Sequence, residues 1–140
     1  MTVPDTSVLV AGFIPSHRFH EAAISALVEV RDDGCLVART MAETYSVLSA
    51  PSGPYRVEPG AVVAYLDQFV DRATPIQPRP QAYREALDLL AGDDRGGGAI
   101  YDALIALAVR DARATLVSLD LRAERTYTAC GVEATQLVAA

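Results

Sequence analysis

Two patterns of apolar residues alternate along the chain. Short, nearly unbroken apolar runs suit strands buried on both faces. Longer stretches in which apolar residues return at helical spacing suit amphipathic helices. Val3 is the one apolar residue of a very short first strand, and Leu9–Phe13 suit a short helix that ends near Gly12 and Pro15. HRFHEAAISALVEVRDDG (17–34) places Phe19, Ala23, Leu27 and Val30 on one stripe, with Gly34 suited to the stop. CLVART (35–40) reads as a compact strand. MAETYSVLS (41–49) reads as a helix with Met41, Tyr45 and Leu48 on one stripe, broken by APSGP (50–54). Pro59 opens a helix to about Arg72 with Val62, Leu66 and Phe69 on one face. TPIQP (74–78) is a short strand whose prolines point to an edge. Gln81–Ala91 is amphipathic, and GDDRGGG (92–98) is a flexible loop. AIYDALIALAVRDA (99–112) is apolar almost all round until Arg110, which predicts a buried helix. ATLVSL (114–119), DLRAERTYTAC (120–130) and VEATQLV (132–138) read as strand, helix and last strand.

Strands alternate with helices and no tight hairpin turn separates two strands. That order implies parallel strands joined by right-handed crossovers: a three-layer α/β/α domain with a short central parallel sheet. There is no internal repeat and no long linker, so the expectation is a single domain over residues 1–140.

Composition adds little to the fold but narrows the function. No apolar run is long enough to span a bilayer, and the start lacks the basic and apolar regions of a signal peptide; the expectation is a cytoplasmic protein. Cys35 and Cys130 are far apart and lack metal-ligand spacing, so they read as small buried thiols. Net charge is −6, and all cations are arginine. This acidity argues against nonspecific nucleic-acid binding by overall charge, but not against a nucleic-acid substrate held through metal ions and a few arginines.

Four acids stand out: Asp5, Glu43, Asp102 and Asp120. Each has an ordinary helix-terminal role. Asp5 could cap the first helix, Thr40-Met41-Ala42-Glu43 fits a capping box, Asp102 lies in a first turn, and Asp120 could be an N-cap. Their common placement suggests something more. Asp5, Glu43 and Asp120 each follow a strand at the start of a helix, and Asp102 starts a helix too. In an open parallel sheet such positions lie along the carboxyl edge, where ligands bind. Four carboxylates gathered there call for a cation, and hard oxygen ligands suit Mg²⁺ or Mn²⁺. Asp102 is the most telling, because a helix so apolar has little need of an acid for solubility.

DTSVLVAG, ARTMAETYSVL, AIYDALIALAV and TLVSLDLRAE resemble, in order and spacing over nearly the whole chain, the four acidic motifs of PIN-domain ribonucleases. The length resembles the toxin of VapBC toxin–antitoxin pairs. The resemblance implies a Mg²⁺- or Mn²⁺-dependent endoribonuclease, silenced by a cognate antitoxin and usually dimeric. It matches Asp5, Glu43, Asp102 and Asp120 to the family's metal-binding acids, and Ser7 and Ser118 to its small hydroxyl positions. The GDDRGGG loop is not general to that family. The chain has no Ser-His-Asp or Cys-His arrangement with a plausible base; His17 and His20 read as capping or surface residues. The expected chemistry is therefore in-line attack by metal-bound water on an RNA phosphodiester, leaving 5′-phosphate and 3′-hydroxyl ends.

Other readings of such a fold fare less well. A two-component receiver domain ordinarily needs a lysine, and this chain has none. A haloacid-dehalogenase-type phosphatase would put a second Asp at position 7, where Ser stands. A non-catalytic module binding RNA or a protein partner is the alternative. Arg39, Arg95, Arg122 and Arg125 are the candidates for phosphate contact, against the ordinary role of solvated surface charge. The apolar helices near Val62–Val70 and the N-terminus could form a dimer or antitoxin surface, against core packing as their ordinary role.

Overall fold

A computed structural model of the chain describes residues 1–139. In chain order it comprises β1 (Thr2–Pro4), α1 (Thr6–Phe13), α2 (His20–Asp33), β2 (Cys35–Val37), α3 (Ala38–Ser49) and α4 (Pro59–Val70). There follow β3 (Thr74–Ile76), α5 (Pro80–Gly92), α6 (Ala99–Asp111), β4 (Thr115–Ser118), α7 (Glu124–Ala129) and β5 (Thr135–Gln136). Every strand pair is parallel. The order is β1-β4-β5 in one ladder and β2-β3 in a second, joined by a parallel bridge from Thr2 to Gly34. β3 lies at the outer edge, as its prolines predict.

Alternation along the strands divides the interior into two cores. Cys35, Val37 and Leu116 face α5, α6 and α7; Leu36 and Val117 face α1, α2 and α4. Helices thus cover both faces of the sheet, giving the three layers. In α6 the run Ala103–Val109 is buried throughout, so its nearly all-round apolarity is answered by packing on all sides. The α4 stripe Val62, Tyr65, Leu66 and Phe69 packs into the molecule's own core, leaving Val63 and Val70 exposed. Both cysteines are buried free thiols. No helix among the described residues is long and apolar enough to cross a membrane.

The elements differ from the sequence pattern chiefly at their ends. α1 starts at Thr6 rather than Leu9, because Asp5 caps it and draws the first turn forward. α2 starts at His20 rather than 17, since Pro15 opens turns in which His17 Nδ1 accepts from the Phe19 amide at 3.1 Å. The strand expected over 35–40 stops at Val37. Its partner β3 is equally short, with Val37 paired to Ile76, and Ala38-Arg39-Thr40 join the helix instead. Residues 120–123 form a turn, and helix α7 begins only at Glu124. The last strand shrinks to two residues, with Val132 serving the core from a turn after Gly131, whose φ is +79°.

Candidate active site

The carboxyl ends of β1 and β4 and the first turn of α6 meet at a cleft of about 250 Å³. Asp5, Glu43, Asp102 and Asp120 all border it, with Thr6, Ser7, Arg122 and Tyr127. The sheet topology explains this. β1 and β4 are neighbours, so the residues that leave them emerge side by side, and the Asp5 amide still donates to Val117 O at 3.1 Å.

Asp5 is the best-held of the four. It is 3% exposed, yet its carboxylate receives four donors. Ser7 Oγ and the Val8 amide (3.3 Å) donate to Oδ1; Ser118 Oγ and the Tyr127 hydroxyl (2.9 Å) donate to Oδ2. Four donors fill about the whole accepting capacity of a carboxylate. The two serines also relay the clamp across the site: Ser7 Oγ accepts the Leu119 amide and Ser118 Oγ the Asp120 amide, each at 2.9 Å. Asp5 is therefore both a helix cap and a member of the cleft. Burial pushes its pKa up, and the bonds from Ser118, Ser7, Tyr127 and Val8 pull against that.

Asp102 lies in the first turn of α6, half-buried, and its pKa is raised from 3.8 to about 6. Burial is the largest cause, followed by the charges of Asp120, Glu43 and Asp5, with Arg95 opposing. The other three acids thus act electrostatically on Asp102.

Glu43 does not form a capping box. Because α3 starts at Ala38, Thr40 falls inside the helix and Glu43 in its second turn, and Thr40 Oγ1 is buried without a hydrogen-bond partner among the described residues. Glu43 Oε2 instead accepts from Thr6 Oγ1 at 2.7 Å. Asp120 is no helix N-cap either. Its Oδ1 accepts the Arg122 amide at 3.0 Å within the turn that precedes α7.

Among the described residues, no three His, Cys, Asp or Glu side chains form a ready-made cage for a metal ion. The acids border one cleft without closing on a common point. Their donor chemistry nonetheless suits a hard divalent cation, and the pKa of Asp102, raised first by burial, is raised further by like charges that such an ion would offset.

The arginines divide. Arg122 lines the cleft, with its side chain 94% exposed and Nε 3.4 Å from Asp120 Oδ1. Arg39 stands next to Glu43, its guanidinium 4.0 Å from the Tyr101 ring centroid and Nε 3.9 Å from Glu43 Oε1. Arg95 is close enough to Asp102 to lower its pKa, from a loop that follows α5. Arg125 pairs with Asp93 at 3.3 Å and lines a different groove. Sequence patterning passes over two residues of the site. Thr6 looks like one more cap residue beside Asp5. Tyr127 falls on a stripe with Ala123 and Cys130 that reads as plain core, and it is indeed 1% exposed.

A short parallel sheet between helical layers, with four acids at its carboxyl edge, defines a PIN domain, and the chain belongs to that family, which it matches over residues 2–129. It is 44% identical to Ribonuclease VapC40 of Mycobacterium tuberculosis over 134 residues, 95% of this chain and 96% of that protein. It is 33% identical to Ribonuclease VapC27 of the same organism over 128 residues, 91% of this chain and 90% of that one. The fold matches the crystal structure of FitAcB from Neisseria gonorrhoeae with a TM-score of 0.68 at 19% identity, covering 96% of each chain.

Proposed function

We propose that this chain is a Mg²⁺- or Mn²⁺-dependent endoribonuclease and the toxin of a toxin–antitoxin pair. The observation that carries the reading is the meeting of Asp5, Glu43, Asp102 and Asp120 at one cleft. Kinship supports it, since the relatives above are named as VapC ribonucleases.

Asp102 and Asp120, with Asp5, would hold the ion, and Glu43 would add its charge from beside Thr6. Asp5 reaches an ion only when one of its four donors turns away. Ser7, half-buried where Ser118 and Tyr127 are fully enclosed, is the donor with room to do so. When bound, a divalent ion lowers the pKa of a coordinated water and neutralises charge growing on phosphate oxygens. Ser118 holds Asp5 and, with Ser7, keeps the β4 exit in register, and Arg122 and Arg39 offer cations to the RNA backbone at the mouth. No side chain of this cleft need act as the nucleophile, and cleavage leaves 5′-phosphate and 3′-hydroxyl ends. The protein works in the cytosol as a homodimer, and a cognate antitoxin silences it.

The test is incubation of the purified, antitoxin-free chain with total RNA and Mg²⁺, followed by mapping of the cut ends. The expected result is discrete cuts that EDTA abolishes and that Asp5→Asn or Asp102→Asn nearly abolishes. Cleavage that persists in EDTA overturns the metal mechanism. RNA or antitoxin binding with no cleavage by the parent chain favours the non-catalytic module instead.

A further inference from the structure

Beside the acid cleft lies a second, wider groove of about 510 Å³. The two share a wall formed by Ser7, Val47, Asp120 and Arg122. The far wall of the groove is different in kind, made by His17, Phe19 and Tyr55, all partly exposed. The His17 and Phe19 rings lie 6.1 Å apart between centroids, and the Arg18 guanidinium sits 5.3 Å from the Phe19 centroid. Because His17 Nδ1 accepts the Phe19 amide, the neutral ring carries its proton on Nε2 as a donor. The size falls in the usual range for small-ligand pockets, roughly 300–1,000 Å³.

We infer that this groove seats one unpaired nucleobase of the RNA, adjacent to the phosphate that lies in the acid cleft. The inference rests on the nuclease reading above. Single-stranded RNA is bound by aromatic faces on which bases stack and by cations that follow the backbone. The groove supplies both: the rings of Phe19 and Tyr55, and the Arg122 cation in its lining, with Arg18 against the Phe19 ring. Its continuity with the acids through Asp120 and Arg122 sets the base next to the scissile bond, so it would bias which nucleotide flanks the cut.

Anisotropy titration of a labelled short single-stranded oligoribonucleotide tests this. The Asp102→Asn chain is used throughout so that the probe survives. Phe19→Leu and Tyr55→Leu keep apolar bulk while removing the stacking face, and thermal melts check that each variant is folded. Each should weaken binding by about tenfold, while Tyr55→Phe should bind like the unsubstituted chain. A ribose-phosphate strand without bases should bind more weakly than the intact probe, and equally to all these chains. Equal affinity of the Leu variants for intact RNA, with parental cleavage in Mg²⁺ still observed, overturns the base seat alone. A parent that neither binds nor cuts RNA overturns the nuclease reading as well. Leu variants that lose a cognate antitoxin yet keep full RNA affinity overturn the proposal in favour of a protein seat.

Discussion

Asp5 and Asp102 show how differently two acids of one cleft can be held. Asp5 is enclosed by donors, and removing one has a cost that can be measured. Tyr127→Phe deletes the 2.9 Å bond to Oδ2 and should lower stability by about 1–2 kcal/mol in urea denaturation. A loss no larger than that of Tyr127→Phe made in an Asp5→Ala chain would show that the hydroxyl does not act through Asp5. Asp102 is held by burial and repulsion instead. Its pKa is higher folded (about 6) than the ordinary 3.8, so the folded chain binds a proton the unfolded chain releases. That contribution to stability is complete below the ordinary value and is lost as pH rises through the folded one. In EDTA, Asp102→Asn should therefore melt above the parent at neutral pH, and the gap should close on acidification. Equal melts at neutral pH would mean that no cluster needs relief. Asp102 is legible in the sequence because an acid stands out in so apolar a helix. Tyr127 is not, because its hydroxyl is one polar atom on a residue whose spacing matches the core.

At the scale of elements, close approach does what composition cannot reveal. A Cβ added at Gly34 would lie 2.5 Å from Val30 Cα and 2.6 Å from Thr2 O, both backbone atoms that cannot swing aside. Gly34 also carries the bridge that joins the two ladders. Gly34→Ala should cost at least about 1–3 kcal/mol. Gly60→Ala, in an exposed helical turn with nothing within 4 Å, should leave stability unchanged or raise it by up to about 1 kcal/mol. Equal denaturation midpoints for the two variants would refute the crowding at Gly34. The helices and the parallel order are readable from stripes such as Val62, Leu66 and Phe69 and from the lack of hairpins. Element ends are not, because a strand stops where its partner stops. Val37 ends β2 only because Ile76 ends β3, and that pairing moves the start of α3 and with it the role of Glu43.

For the whole molecule, the net charge of −6 and the gathered acids predict a fold that answers to divalent ions. Mn²⁺ should raise the melting temperature of the parent, by roughly 2.7 kcal/mol of stability at about 100 times its dissociation constant. Asp102→Asn should reduce that gain, and an undiminished response would take Asp102 out of the ion's surroundings. The Asp5 clamp has a further consequence, which concerns time rather than energy. Its partners Ser118 and Tyr127 lie 113 and 122 positions further along the chain, and β1 has no neighbour in its own ladder until β4 arrives. Synthesis proceeds from the other end, so a growing polypeptide carries Asp5, Glu43 and even Asp102 before the β4 strand and the Ser118 and Tyr127 hydroxyls exist to complete the clamp. The site is thus born late, and a chain halted before Ser118 should be inert toward the RNA that surrounds it.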